Sequence, residues 1–161
     1  MTDRLPEDAA RRLAAWRAAG DRIVFTNGVF DLVHRGHVEY LEEARSLGER
    51  LVVGLNGDGS VRRLKGPERP IVPEDDRIAM IAALESVDLV VRFEEDTPES
   101  LIREIAPDVL VKGGDWALGE IVGREFVESR GGRVERIRVR EGWSTTRIVQ
   151  RIAAGRNALD A

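Results

Sequence analysis

The chain has 161 residues, 42% of them hydrophobic and 34% charged, with a formal net charge of −4. That length suits one domain with a sizeable core, and the acidic balance argues against a general nucleic-acid binder, whose footprint would be basic. The absence of cysteine excludes disulfides and thiolate metal sites, and no apolar run reaches membrane-spanning length. The charged start, Met1 to Asp8, lacks the apolar stretch of a secretory signal, so a single cytoplasmic domain over residues 1–161 is expected.

Residues 6–19 read as a helix with Pro6 near its first turn and Gly20 beyond its end. Ala9, Leu13, Trp16 and Ala19 recur at helical spacing, so one face, Trp16 included, is expected to pack on the body. A first strand over 22–27 leads through a turn to a helix at 36–47. Leu51–Leu55 is a nearly continuous apolar run, as in a strand buried on both faces. A turn-rich loop, Asn56 to Ser60, a helical turn at Val61–Leu64 and a Pro- and Gly-rich loop from Lys65 to Pro73 follow. A loop of that length in a compact domain is expected to be functional or mobile.

Helical periodicity returns at 74–86, with Glu74, Asp75 and Asp76 in the first turn, where acidic residues are favoured. Val87–Val91 reads as a third strand and Asp108–Lys112 as a fourth. Between them lies a helix capped by Thr97, with Pro98 at its first position. A helix over 118–130, a fifth strand over Arg133–Val139 and a last helix over Ser144–Ala154 complete the chain. Short strands alternating with helices indicate an α/β fold: a Rossmann-like open parallel five-stranded sheet with helices on both faces. The polar clusters fall just after strand C-terminal ends, where such sheets bind ligands.

The most informative cluster is Thr26-Asn-Gly-Val-Phe-Asp-Leu-Val-His-Arg-Gly-His37, which holds both histidines of the chain. His34 and His37, three apart at a helix start, share a face. Free backbone N–H groups there favour an anion, and Gly36 admits close backbone approach. Two imidazoles so placed can donate to phosphate oxygens whose charge shifts during transfer. Two other readings stay open: histidines satisfied within the turn, and a metal site, which lacks a third His, a Cys or a patterned carboxylate. Of 25 basic residues only Lys65 and Lys112 are lysine, so each is a candidate point charge. Ser144-Thr145-Thr146 opens the last helix, where hydroxyls and free N–H groups suit an anion, although Ser144 is also a good N-cap.

Gly28-Val-Phe-Asp31 followed by His34-Arg-Gly-His37 resembles the strand-turn-helix signature of the cytidylyltransferase-like nucleotidyltransferases. The similarity continues in Ser60 to Ile71, Leu84 to Asp88, Phe93 to Pro98, Val111-Lys-Gly-Gly-Asp115 and Gly142-Trp-Ser-Thr-Thr-Arg147. In that order, over roughly 20–153, these segments resemble the adenylyltransferase domain of bacterial ADP-heptose synthesis enzymes, often fused to a sugar kinase. The resemblance implies transfer of AMP from ATP to D-glycero-β-D-manno-heptose 1-phosphate, releasing pyrophosphate. A cytidylyltransferase for glycerol 3-phosphate or a related phospho-alcohol, and a non-catalytic nucleotide-binding module, are the alternatives.

By the same resemblance His34, His37 and Lys65 are the catalytic candidates. Thr26, Asn27, Gly28, Val29, Phe30, Gly36, Arg77, Gly114, Ser144, Thr145 and Arg147 are expected at the nucleotide, and Asp31, Asp115 and Trp116 at the second substrate. For Arg77 a salt bridge to Glu74, Asp75 or Asp76 is the competing expectation, and for Trp116 it is cover of the core. Trp143 stands where relatives often carry a smaller residue. Mg²⁺ is expected as cofactor, held mainly by the triphosphate rather than by a protein cage. The expected partners are ATP, a sugar 1-phosphate, a second copy of the chain in a homodimer and a separate upstream sugar kinase, with neither nucleic acid nor membrane.

Overall fold

Five runs rich in Val, Ile, Leu and Phe form the strands of one sheet: β1 (Ile23–Gly28), β2 (Arg50–Asn56), β3 (Leu89–Phe93), β4 (Val109–Gly113) and β5 (Arg133–Ile137). The computed structural model describes residues 5–114 and 116–159, with side chains as far as residue 155. Strand order is β3-β2-β1-β4-β5, and every pairing is parallel. The helices are α1 (Glu7–Ala18), α2 (Arg35–Arg45), α3 (Asp58–Lys65), α4 (Glu74–Ala82), α5 (Glu99–Ile105), α6 (Arg124–Ser129) and α7 (Thr145–Leu159). None of the described helices is long and apolar enough to cross a membrane.

Strand alternation sends side chains to two cores. Ile23, Phe25, Val52 and Leu110 join Leu13 of α1, Ile102 of α5 and Val127 of α6 on one face. Val24, Val53, Val109 and Val111 join Leu41 of α2 and Ile81 of α4 on the other. The expected fold, with helices on both faces, is therefore present. Trp16 is half-buried against the first core beneath the guanidinium groups of Arg12 and Arg50, a docking role rather than a ligand platform.

Several boundaries differ from the sequence reading, each for a local reason. The turn-rich segment after β2 is the first turn of α3. Gly57 and Gly59 serve close packing, since a Cβ at either would fall 2.1 Å from the Glu94 carboxylate. The third strand starts at Leu89 because the Asp88 carboxylate turns back to accept from Leu51 N and to pair with Arg45 and Arg50. Pro98, rather than Thr97, occupies the N-cap position of α5, and no side chain caps it. The expected helix at 118–130 is split into a 3₁₀ turn, Leu118–Glu120, and α6. Gly123 between them has φ +85°, and a Cβ there would meet Ile102 at 2.8 Å.

Connections from β1 progress outward to β2 and β3, whereas β4 and β5 lie on the opposite side of β1. The order reverses between β1 and β4, and beyond their C-terminal ends the neighbouring loops diverge and leave a crevice.

Candidate active site

That crevice is a cleft of about 420 Å³. Its lining comes from four places: the β1–α2 turn with the mouth of α2, the end of α3 with the following loop, the end of β4, and the mouth of α7. Segments 80 to 120 residues apart in sequence thus meet at one sheet edge. Of the expected residues, Asn27, Gly28, Val29, Phe30, Asp31, His34, Gly36, His37, Lys65, Trp116, Ser144 and Thr145 line it.

The β1–α2 turn is tightly built. Phe30 adopts φ +49°, a conformation that L residues visit at a cost, and its buried ring lies edge-on to His37 with centroids 5.2 Å apart. Gly28 leaves room for that ring, since a Cβ there would approach Phe30 to 2.9 Å. His34 occupies the N-cap of α2, and its ring stacks on His37 with centroids 3.8 Å apart. His34 N donates to His37 Nδ1 at 3.3 Å. A neutral imidazole that accepts at Nδ1 carries its proton on Nε2, so His37 is held as an Nε2–H donor. Burial, reinforced by the neighbouring His34, pushes the His37 pKa down to about 4, and burial also lowers that of His34. Two neutral imidazoles can stack face to face where two imidazolium ions would repel. Nδ1 of His34 is buried and has no hydrogen-bond partner among the described residues.

Asp31 plays a part that the sequence did not reveal. Its side chain is 1% exposed and accepts from Ile71 N, Val72 N and Arg69 Nε at 2.7–3.0 Å. Burial alone would raise its pKa, but the two backbone donors and the Arg69 guanidinium outweigh it and hold the carboxyl below its usual range. Asp31 is thus a latch rather than the expected substrate ligand, with its acceptor capacity spent on the protein. The latch pins residues 69–72 of the Pro-rich loop against the β1–α2 turn. The loop is therefore anchored along half its length, and exposed Lys65 stands at its start, at the C-terminal end of α3.

Arg77 does not reach the cleft. It is 0% exposed and donates to Val72 O, Val29 O and Asn56 O at 2.7–2.9 Å and to Asp58 Oδ1 at 2.7 Å. It pairs with Asp58 rather than with the acidic residues of its own helix, and supports the turn from beneath. Thr26 is likewise buried, its hydroxyl 2.6 Å from Tyr40 Oη, and does not line the cleft. Burial raises the Tyr40 pKa to about 12, partly offset by that hydrogen bond.

At the α7 mouth Ser144 accepts from Arg147 N at 3.1 Å, and the Thr145 hydroxyl donates to Leu32 O at 3.3 Å, tying this helix to the histidine turn. Arg147 lies on the outer side, beside Gly142 and Trp143 in a separate surface hollow. Gly114, at φ +89°, lines another hollow with Glu39 and Arg140. Asp115 lies outside the described residues. Trp116 is 52% exposed at the rim, so it does not cover the core. Sequence reasoning did not place Tyr40 or Arg69 in the cleft, yet both line it; Trp143, which departs from relatives, lines it as well and stacks at 6.0 Å on His34.

Among the described residues the cleft offers many donors and one lining carboxylate, Asp31, whose oxygens are already engaged: an environment for anions. Among the described residues no group of three or more His, Asp or Glu could hold a metal ion.

Comparisons with known proteins identify relatives of this chain. The "Bifunctional protein HldE" of Magnetococcus marinus is 56% identical over 146 residues, which cover 91% of this chain and 30% of that protein. The protein of the same name from Alcanivorax borkumensis is 59% identical over 136 residues, 84% of this chain and 29% of that one. The chain thus spans less than a third of the length of these curated relatives. The crystal structure of the lipopolysaccharide core biosynthesis protein from Thermoplasma volcanium superposes with a TM-score of 0.62 at 32% identity, covering 75% of this chain and 98% of that one. The model of the family described as "Cytidylyltransferase-like" matches residues 25–151, from the middle of β1 into α7. The chain belongs to the cytidylyltransferase-like family, the nucleotidyltransferase class that its histidine motif resembles.

Proposed function

We propose that the chain transfers AMP from ATP to D-glycero-β-D-manno-heptose 1-phosphate, giving ADP-heptose and pyrophosphate. The observation that carries nucleotidyl transfer is the stacked histidine pair at the mouth of α2, facing a donor-rich cleft at the sheet's switch point. The heptose acceptor is supported by the order of motifs from Ser60 to Arg147 and by the identity to the HldE proteins.

The chemistry asks little acid–base work of the protein. A sugar phosphate is already an anionic nucleophile near neutral pH. Its oxygen forms a bond to the α-phosphorus as the bond from that phosphorus to the β-phosphate oxygen breaks, and pyrophosphate leaves with the electron pair. The protein's tasks are alignment and stabilisation of charge. His37, fixed as an Nε2–H donor, and His34 contact the phosphate oxygens. The α7 mouth supplies the free N–H groups of its first turn and the Ser144 O–H, while the Thr145 hydroxyl holds the mouth to Leu32 O. Lys65 approaches from the loop side as a point charge. Mg²⁺ bound with ATP would neutralise triphosphate charge, and it would lean on phosphate oxygens and water rather than on a protein cage. Arg77 and Asp31 are positioning residues. A sugar kinase supplies the acceptor's phosphate, and the reaction belongs to the cytoplasm.

The test is a matrix of four nucleoside triphosphates against phosphorylated sugars and alcohols with Mg²⁺, read by pyrophosphate release. ATP with heptose 1-phosphate is expected to give the fastest turnover. Turnover with CTP and glycerol 3-phosphate, and none with ATP and any sugar phosphate, would refute this reading.

A further inference from the structure

Lys112 stands at the C-terminal end of β4, beside the turn that carries the histidines, and the mechanism above gives it no task. It is one of only two lysines in a chain with 25 basic residues. Partly buried in the cleft wall, it donates from Nζ to Asn27 Oδ1 at 2.6 Å. An ammonium has three N–H donors, and this is its one hydrogen bond among the described residues. No described carboxylate pairs with it, and Asp31 is occupied by Arg69 and two backbone N–H groups. Burial without a counter-charge disfavours an ammonium and pushes the Lys112 pKa down to about 8, which leaves it cationic at neutral pH. A partly buried amine that meets only a neutral amide among the described residues is a group open to a ligand.

The amide orientation extends the point. An ammonium only donates, so it holds Asn27 with Oδ1 turned toward β4 and leaves the two Nδ2 donors for another acceptor. Lys112 and Asn27, which line the same cleft as the histidine pair, then offer donors of one polarity.

We propose that Lys112 and Asn27 form a phosphate seat on the β4 side of the cleft, which takes an oxygen of either the nucleotide's triphosphate or the acceptor's phosphate monoester. The seat is separate from the two helix mouths. It rests on the proposed reaction only for the identity of the phosphates.

Lys112→Met tests it by calorimetric titration. One arm uses MgATP, a second uses heptose 1-phosphate and glycerol 3-phosphate with a non-hydrolysable ATP analogue present, and adenosine serves as the phosphate-free control. Loss of a charge-assisted hydrogen bond predicts about 10- to 100-fold weaker binding in one phosphate arm with adenosine unchanged. The arm affected identifies which phosphate occupies the seat. Because the substitution removes a partly buried charge with no counter-charge among the described residues, the thermal midpoint is expected to stay level or rise, and Lys112→Arg, which keeps the charge, to recover part of the binding. Phosphate affinities equal to wild type, an equal loss for adenosine, or wild-type protein that gains nothing from any of these phosphates overturns the proposal. The arms read binding, so a wild-type protein that binds phosphates yet releases no pyrophosphate from ATP and heptose 1-phosphate sinks the reaction assigned above and not the seat.

Discussion

Replacing His37 by alanine is expected to lower kcat by roughly 10²- to 10³-fold, the usual effect of losing one preorganised donor to a transition-state oxygen, while the affinity for MgATP changes by no more than about threefold. The expectation follows from the tautomer. His34 N donates to His37 Nδ1, which leaves Nε2–H as a neutral donor facing the cleft. Its contact strengthens only as charge builds on the phosphate, so it contributes more to the transition state than to bound ATP. His37→Gln, which keeps a neutral N–H, recovers part of the rate, whereas a residue acting as general acid would show no rescue.

The pH behaviour of the same residue has a definite sign. With its pKa lowered from 6.5 to about 4, His37 is neutral across the range of ordinary assays. The kcat/KM for ATP therefore shows no histidine inflection near pH 6.5. The unfolded chain binds more protons than the folded one between about pH 4 and 6.5, so stability falls as pH drops through that window. A kcat/KM profile that declines on raising the pH through 6.5 would mean that a protonated histidine is required. Equal losses in kcat and ATP affinity on His37→Ala would make His37 a binding or structural residue.

The second large effect is on stability. Arg77→Ala is expected to cost about 3–5 kcal/mol, because it removes a fully buried guanidinium and leaves three carbonyls and the partly buried Asp58 carboxylate without their donor. For a chain of this size that lowers the thermal midpoint by roughly 10 °C. Arg77→Lys keeps the charge but cannot reach four acceptors from one fork, and recovers only a fraction. A midpoint within about 2 °C of wild type, on the same size scaling, would show that Val29 O and Asn56 O are held by other means.

The contrast between these two residues explains what could be read in advance. The strands announce themselves because a run such as Leu51 to Leu55, buried on both faces, has nowhere to be but the middle of a parallel sheet. His34 and His37 were visible because the turn that positions them is contiguous in sequence, and so was the Ser144 helix mouth. The roles of Arg77 and Asp31 were not, since each is defined by partners far along the chain: Asp31 meets Arg69 38 residues away, and Arg77 meets Val29 at 48. A charged residue in a first helical turn looks the same whether it faces solvent or ties four segments together. The break before α6 was hidden for a related reason, since the constraint on Gly123 is the Ile102 side chain of another helix.

The proposed reaction is a single displacement, in which the acceptor's phosphate oxygen attacks the α-phosphorus and no group of the protein is ever bonded to it. The most direct test uses one diastereomer of ATPαS, chiral at the α-phosphorus, with heptose 1-phosphate, and assigns the configuration of the thio-substituted ADP-heptose by ³¹P NMR. Inversion at phosphorus is the predicted result. Retention, which requires two displacements through a nucleotidyl-enzyme intermediate, would contradict the assignment of the histidine pair as a clamp rather than a nucleophile.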